Sequence, residues 1–147
     1  MQKPCLFCRI AHSVVASHEV FRNDRLFAFL DIGPIRPGHV QIIPIAHYDY
    51  FENIPKDIAK EIMLLGQSIA RCQKSLLSVE RVAFLFTGGD IPHAHCHLVP
   101  MVENTDITSA RYIEEKELTF MVRPNLGETS LREMALWLSA ELQVQDN

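Results

Sequence analysis

Three histidines alternate with small apolar residues over five positions, and this pattern restricts the fold of the chain more than any other. The histidines are His93, His95 and His97, with Ala94 and Cys96 between them. In a β-strand, residues i, i+2 and i+4 project from the same face, about 6.6 Å apart for each pair. The spacing therefore predicts a strand with three imidazoles on one face and Cys96 in the core on the other.

Three imidazoles on one face are costly unless they are hydrated or hydrogen-bonded, which indicates a functional use. One such use is metal binding, because neutral imidazole is a common zinc ligand. The other is covalent catalysis at phosphorus, in which one histidine attacks and its neighbours hold oxygens and protons. The spacing alone does not choose between them. A catalytic metal held jointly by all three histidines is disfavoured, because a straight strand spreads the rings over about 13 Å.

The composition is that of one globular domain spanning residues 1–147. Hydrophobic residues make up 48% and charged residues 22% of the chain, close to the globular average. The net charge of −4, without a run of like charges, argues against nucleic-acid binding through the phosphate backbone. No apolar run approaches the roughly 20 residues of a membrane-spanning helix, and Arg9 and His12 interrupt a possible signal peptide. We therefore expect a cytoplasmic domain without nucleic-acid or membrane partners.

The remaining pattern predicts an α+β domain on an antiparallel sheet. Short strands are expected over 19–22, 26–31, 39–45, 82–86, 94–99 and 117–122. A long helix is indicated by apolar residues spaced four and three apart on one stripe, namely Ile58, Ile62, Leu65, Ile69, Cys72 and Leu76. A shorter second helix is expected over about 130–143, after the capping-box pattern of Ser130 and Glu133.

The segment His93-Ala94-His95-Cys96-His97-Leu98-Val99 resembles the histidine triad (HIT) motif. Further blocks of the same family occur in the same order within residues 5–100: Cys5-Leu6-Phe7-Cys8-Arg9-Ile10, Phe27-Ala28-Phe29-Leu30-Asp31-Ile32-Gly33-Pro34, Pro37-Gly38-His39 and Ile43-Pro44-Ile45-Ala46-His47-Tyr48. The resemblance implies a five-stranded antiparallel sheet with one long and one short helix. It also implies a homodimer and a purine nucleotide as ligand.

The resemblance further implies a reaction and the residues that perform it. His95 matches the histidine that attacks the α-phosphorus of a phosphoramidate or a dinucleoside polyphosphate and becomes nucleotidylated. His97 and His39 match histidines that orient this nucleophile and contact phosphate oxygens, and Asp31 matches the carboxylate that accepts bonds from the ribose hydroxyls. Apolar positions around the base are matched by Leu6, Phe7, Ile10, Phe29 and Ile32, of which Leu6 and Ile10 suit an ordinary core equally well.

The same resemblance implies a structural zinc site. Some members, and the related uridylyltransferases, hold zinc with residues that match Cys5, Cys8, His47 and His93. Two thiolates and two imidazoles form a closed tetrahedral set without an open position for catalysis. Bound zinc would then fix the segment that carries His95.

The chain departs from the family in the loop before the triad. Here the connection is the short segment Thr87-Gly88-Gly89-Asp90-Ile91-Pro92, with Asp90 where the family has a hydroxyl that assists the leaving group. A carboxylate beside a phosphate repels it, whereas Gly88 and Gly89 present backbone N–H groups that suit a phosphate. A nucleotide-binding regulatory protein with weak catalysis is therefore the alternative function.

Overall fold

Short strands and two long helices build the protein. The computed structural model describes residues 5–89, 91–107 and 125–145. A 3₁₀ turn at Phe51–Asn53 precedes the longest helix. In chain order the elements are α1 (Leu6–Ala11), β1 (Glu19–Arg22), β2 (Leu26–Leu30), β3 (Val40–Pro44), α2 (Lys56–Leu77), β4 (Arg81–Phe86), β5 (Cys96–Met101) and α3 (Gly127–Gln145).

The five strands form one antiparallel sheet in the order β1-β2-β3-β5-β4. This order brings β3 and β5 side by side, although α2 and β4 separate them in the sequence. The register of the pair places Gln41 opposite His97. The predicted five-stranded antiparallel sheet is confirmed, and the strand predicted over 117–122 lies outside the described residues.

Both faces of the sheet are covered, so that all residues of β2 and β3 are buried. Alternate side chains of a strand point to opposite faces. On one face they join the larger core formed with α2 and α3. On the other face, Phe27 and Phe29 pack with Phe7 and Ile10 of α1. The short helix α1 therefore closes the face opposite the two long helices.

Helix α2 follows the predicted apolar stripe. Its buried positions include Ile58, Ile62, Ile69 and Cys72, which confirms the spacing argument for these four. Of the other two predicted positions, Leu65 is half-buried and Leu76, in the last turn, is exposed. Gly66 lies on the same face, and a Cβ atom there would come within 2.5 Å of Cε2 of Phe84 on β4. The absence of a side chain at this position therefore sets how closely α2 approaches the sheet. No helix in the described part of the chain is both long and apolar enough to cross a membrane.

The C-terminal helix is longer than its sequence pattern indicated. Helix α3 has 19 residues and begins at Gly127, whereas the prediction covered about 130–143. The side chain of Asn125 accepts a hydrogen bond from the Gly127 amide at 3.3 Å, so the helix starts before the capping-box pattern. The buried stripe of Leu131, Ala135, Leu138 and Leu142 agrees with the prediction. Helix α1 was not predicted, because six residues are too few for a periodic pattern.

The loop between β2 and β3 is anchored to the segment after β5. Arg36 donates two hydrogen bonds to the carboxylate of Asp106, at 3.0 and 2.7 Å. Burial alone raises the pKa of Asp106, but the Arg36 bonds and two backbone N–H groups outweigh it and lower the pKa. This anchor fixes the loop that leads directly into His39.

Candidate active site and metal centre

The three triad histidines occupy two different environments. Strand β5 begins at Cys96, so only His97 lies within it, and the predicted strand over 94–99 starts two residues too early. The ring of His93 is fully buried and contacts the ring of His47, with 4.9 Å between centroids. The rings of His95 and His97 lie 5.0 Å apart and line one cavity of about 320 Å³. The predicted common face therefore holds for His95 and His97 but not for His93.

The hydrogen bond of His95 fixes its tautomer. Its Nδ1 lies 2.7 Å from the carbonyl oxygen of His93. A carbonyl oxygen only accepts, so Nδ1 carries the proton and the neutral ring keeps its lone pair on Nε2. The ring of Phe7 packs edge-on against this imidazole at 5.0 Å, which restricts its rotation. His95 therefore offers one defined nucleophilic nitrogen.

His39 and His97 form a chain of hydrogen bonds with one direction. The Ile35 amide donates to Nδ1 of His39 at 3.2 Å, so the neutral ring carries its proton on Nε2. That Nε2 donates to Nδ1 of His97 at 2.9 Å, which leaves the proton of His97 on its own Nε2, 3.4 Å from Oγ1 of Thr87. Burial, followed by the nearby imidazoles of His39 and His95, lowers the pKa of His97 to about 4. His97 is therefore neutral near pH 7, as this arrangement requires.

Asp31 lines the same cavity beside His39, with its Oδ2 3.9 Å from Nδ1 of His39. Its Oδ1 accepts a hydrogen bond from the Gly33 amide at 2.8 Å, and its Oδ2 accepts one from the side chain of Gln41 at 2.7 Å. Both oxygens keep further lone pairs. This carboxylate is thus oriented on both sides while it lines the cavity, a geometry that suits a ligand with two hydroxyl donors.

The residues predicted to surround the base and the phosphate do not all line one cavity. Phe7 and Gly89 line the cavity that contains His95, and Phe29 packs behind Phe7 with 5.7 Å between ring centroids. Gly88 lines a neighbouring cavity of about 300 Å³ that also contains His95. Asp90 lies outside the described residues.

Two of the predicted apolar contacts are exposed, and one is in the core. Ile10 is buried in the cluster under α1. The side chain of Leu6 is 42% exposed and that of Ile32 is 79% exposed. Ile32 lines a third cavity with His18 and Arg132. The described cavity around the triad therefore includes neither Leu6 nor Ile32.

Four predicted ligands converge beside the triad. The ligand atoms of Cys5, Cys8, His47 and His93 all lie within 4.8 Å of one another. The Nδ1 atom of His93 is 3.5 Å from Sγ of Cys5 and 3.5 Å from Sγ of Cys8, and Nδ1 of His47 is 3.2 Å from Sγ of Cys8. Zinc bond lengths of about 2.3 Å to sulfur and about 2.0 Å to nitrogen place such atoms about 3.5 Å apart in a tetrahedral site. The four residues therefore fit zinc.

Hydrogen bonds to groups outside this cluster orient both imidazoles for metal binding. His93 Nε2 donates to the Pro44 carbonyl at 2.9 Å, and His47 Nε2 donates to Asp49 at 2.8 Å. Each ring therefore turns an unprotonated Nδ1 toward the thiols, as ligating histidines usually do. Burial, together with a hydrogen bond and charge from Cys5, raises the pKa of the Cys8 thiol to about 11. The Cys8 thiol therefore favours the protonated state, and a bound metal would displace the proton.

The two thiols of the core need no functional explanation. Cys72 and Cys96 are both fully buried. Burial raises the pKa of Cys96 to about 12, and a protonated thiol is a poor nucleophile. The prediction that Cys96 packs in the core is confirmed.

Sequence reasoning missed three residues of the site. Gln41 is a polar residue within an apolar strand, and this pattern could have identified it as a candidate site residue. Asp49 stands two residues after His47, but only the fold shows that it orients that ring. Thr87 belonged to the loop already identified, but its distance from His97 depends on the pairing of β4 with β5.

Comparisons with known proteins agree with this geometry. A sequence model of the HIT domain matches residues 12–104. An uncharacterised HIT-like protein of Saccharolobus solfataricus is 30% identical over 118 residues, which cover 77% of this chain and 85% of the relative. The adenosine 5'-monophosphoramidase HNT1 of Saccharomyces cerevisiae is 30% identical over 97 residues, which cover 65% of this chain and 61% of that protein. The crystal structure of a zinc-bound histidine triad family protein from Mycobacterium smegmatis has a TM-score of 0.73 at 24% identity, covers 97% of this chain and 95% of that one, and shares its fold.

Proposed function

Since this chain belongs to the HIT domain family, we propose that it is a nucleotide-binding hydrolase or nucleotidyl transferase that cleaves its substrate at the α-phosphate through His95. The observation that carries the proposal is the bond from His95 Nδ1 to the His93 carbonyl. It leaves Nε2 unprotonated on a residue that lines the cavity with Asp31. A relative with a monophosphoramidase activity in its name supports the same reaction class.

The proposed reaction has two steps. The Nε2 lone pair of His95 attacks the α-phosphorus, and the bond from phosphorus to the leaving nitrogen or oxygen breaks as the N–P bond forms. The leaving group takes the electron pair of the broken bond and a proton from solvent. Water or another acceptor then attacks phosphorus and releases a proton to solvent, the N–P bond breaks, and the neutral imidazole returns. The product of hydrolysis is a nucleoside monophosphate.

The other polar residues of the cavity fit supporting roles. The Nε2–H of His97 donates toward Thr87, so the Thr87 hydroxyl is free to donate to a phosphate oxygen or to the leaving group. His39 holds His97 in the required tautomer. Asp31 accepts bonds from the ribose hydroxyls, and Phe7 lies against the nucleoside. The backbone amides of Gly88 and Gly89 donate hydrogen bonds to the phosphate.

Structural zinc on Cys5, Cys8, His47 and His93 belongs to the proposal. Bound there, it supplies rigidity and no open coordination position. The chain's own part is to hold the His93 backbone, whose carbonyl orients His95. The zinc-bound relative supports this assignment.

We further propose that the protein is a cytoplasmic homodimer that binds a purine nucleotide. Strand β4 lies at one edge of the sheet, where its residues 82–86 are only partly buried. Met63 on α2 and Phe51 beside β4 are large exposed apolar side chains on the described surface. A second copy of the chain would cover this edge. Sedimentation velocity, which measures the mass of the particle in solution, tests whether the protein is a dimer.

The test of the enzymatic function is turnover of adenosine 5'-monophosphoramidate, followed by intact-protein mass. The wild-type protein is expected to release ammonia and to show a transient adenylyl adduct on His95. His95→Ala should reduce turnover by at least about 10³-fold, since removing the nucleophile removes the covalent route. His12→Ala is the matched control, because His12 is exposed in the turn after α1.

Two outcomes would contradict the proposal. A fully active His95→Ala protein would exclude His95 as the nucleophile. Tight nucleotide binding without turnover of any phosphoramidate or dinucleoside polyphosphate would favour the regulatory alternative instead.

A further inference from the structure

Gln41 is a buried polar residue in an otherwise apolar strand. Strand β3 reads Val-Gln-Ile-Ile-Pro, and all five residues are buried. The residue is 8% exposed and lines the cavity that contains Asp31, His95 and His97. Its position facing the site follows from the register that sets it opposite His97.

The contacts of Gln41 fix the orientation of its amide. The group 2.7 Å from Asp31 Oδ2 must be Nε2, because a carboxylate only accepts hydrogen bonds. The amide oxygen Oε1 is consequently directed elsewhere, and it is buried without a hydrogen-bond partner in the described part of the chain. A buried acceptor without a partner lowers stability. An apolar side chain at this position would avoid that cost, so stability does not explain the glutamine.

Gln41 holds the carboxylate of Asp31 in place. The Gly33 amide binds one oxygen of Asp31 and Gln41 binds the other. These two donors fix the plane of the carboxylate. The remaining lone pairs of the Asp31 oxygens therefore point in fixed directions. A vicinal diol is a ligand that can supply two hydroxyl donors to these lone pairs. Without Gln41 one of these two donors is lost, and rotation of the carboxylate about its χ2 angle is less restricted.

We propose that Gln41 is a positioning residue that sets the preference of this site for ribonucleotides over deoxyribonucleotides by orienting Asp31. The inference rests on the proposed function, because it requires that a nucleotide binds with its sugar at Asp31. It adds a determinant of sugar specificity in the centre of the sheet. The residue acts through Asp31 and takes no part in the transfer of the nucleotidyl group.

The experiment compares the binding of adenosine 5'-monophosphate and its 2'-deoxy analogue by titration calorimetry. The wild-type protein is expected to prefer the ribonucleotide about 10- to 100-fold, as hydrogen bonds to a charged acceptor allow. In Gln41→Leu this ratio is expected to fall below about threefold, through weaker binding of the ribonucleotide. The midpoint of urea unfolding should stay the same or rise, which a merely structural role would not produce. Gln41→Met should behave in the same way and provides a second variant if the leucine variant does not fold.

Gln73→Leu is the matched control. Gln73 is also a buried glutamine, and its Oε1 has no hydrogen-bond partner among the described residues. Its Nε2, however, donates to the carbonyls of Gly38 and Leu98 at 2.7 and 3.1 Å. This variant should lose stability and keep the wild-type ratio. A wild-type ratio in both Gln41 variants, or an equal loss of the ratio in Gln73→Leu, would overturn the inference and leave the proposed function intact. Failure of the wild-type protein to bind the ribonucleotide at all would instead overturn the proposed function.

Discussion

The Nδ1 atom of His95 lies 2.7 Å from the carbonyl oxygen of His93, and the ring of His93 faces the thiols of Cys5 and Cys8 at 3.5 Å. One residue thus connects the metal-binding cluster with the proposed nucleophile. Its side chain belongs to the cluster and its backbone fixes the tautomer of His95. Changes to the cluster should therefore affect the reaction without touching the cavity.

Loss of a zinc ligand should reduce both metal content and activity. In His47→Ala we expect bound zinc to fall from about one ion per chain to well below that, because three ligands remain. Turnover should fall at least about tenfold, in the range seen when metal sites lose supporting groups. Elemental analysis of protein purified without chelators measures the first effect and phosphoramidate hydrolysis the second.

His12→Ala serves as the control for this experiment, since it removes an exposed histidine elsewhere in the chain. Wild-type protein that carries far less than one zinc ion per chain under these conditions would refute the metal site. A zinc-free protein with full activity would refute its link to His95.

His97 should make stability depend on pH in a defined window. Its pKa of about 4 in the folded protein lies below the ordinary value of about 6.5 in an unfolded chain. The unfolded state therefore binds the proton first, and the contribution of His97 is complete above pH 6.5 and is lost as the pH falls toward 4. Urea unfolding at several pH values should show a decrease across this window that is smaller in His97→Asn. Parallel curves for the two proteins would show that His97 is not the group responsible.

The Arg36–Asp106 pair should stabilise the loop that leads to His39. Asp106 is well buried and also accepts bonds from the amides of Val102 and Glu103 at 2.9 and 3.0 Å. Asp106→Ala removes the acceptor that these amides share with Arg36 and is expected to cost about 2 kcal/mol of unfolding free energy. A double-mutant cycle with Arg36→Ala measures the coupling, and strictly additive single effects would contradict the pairing.

Gly66→Ala tests the contact between α2 and the sheet. A methyl group there would overlap the ring of Phe84, which typically costs 1–3 kcal/mol, against a gain of about 1 kcal/mol from helix propensity. We expect a net loss of about 1 kcal/mol in the free energy of unfolding. In a Phe84→Leu background the same change should be neutral or stabilising. Gln67→Ala, an exposed change on the same helix, should stay within about 0.5 kcal/mol of the wild-type value.

Local periodicity in the sequence was enough to predict most of the helices and strands. The apolar stripe of α2 and the alternation in the strands follow from the geometry of a single element, so the sequence predicts them directly. Helix α1 and the start of α3 escaped prediction. The first is too short for a period, and the second begins at Asn125 and Gly127, before its apolar stripe.

The sequence by itself determined which side chains of this protein are available for chemistry, because its motifs contain the imidazoles, the thiols and the carboxylate. Only the tertiary structure decided which of these side chains belong to the metal-binding cluster and which to the cavity with His95. It directed His93 to Cys5 and Cys8, paired His39 with His97, and placed Gln41 beside Asp31. These contacts join residues between ten and 88 positions apart in the chain. Strand order and register bring such residues together, and spacing along one element carries no information about either.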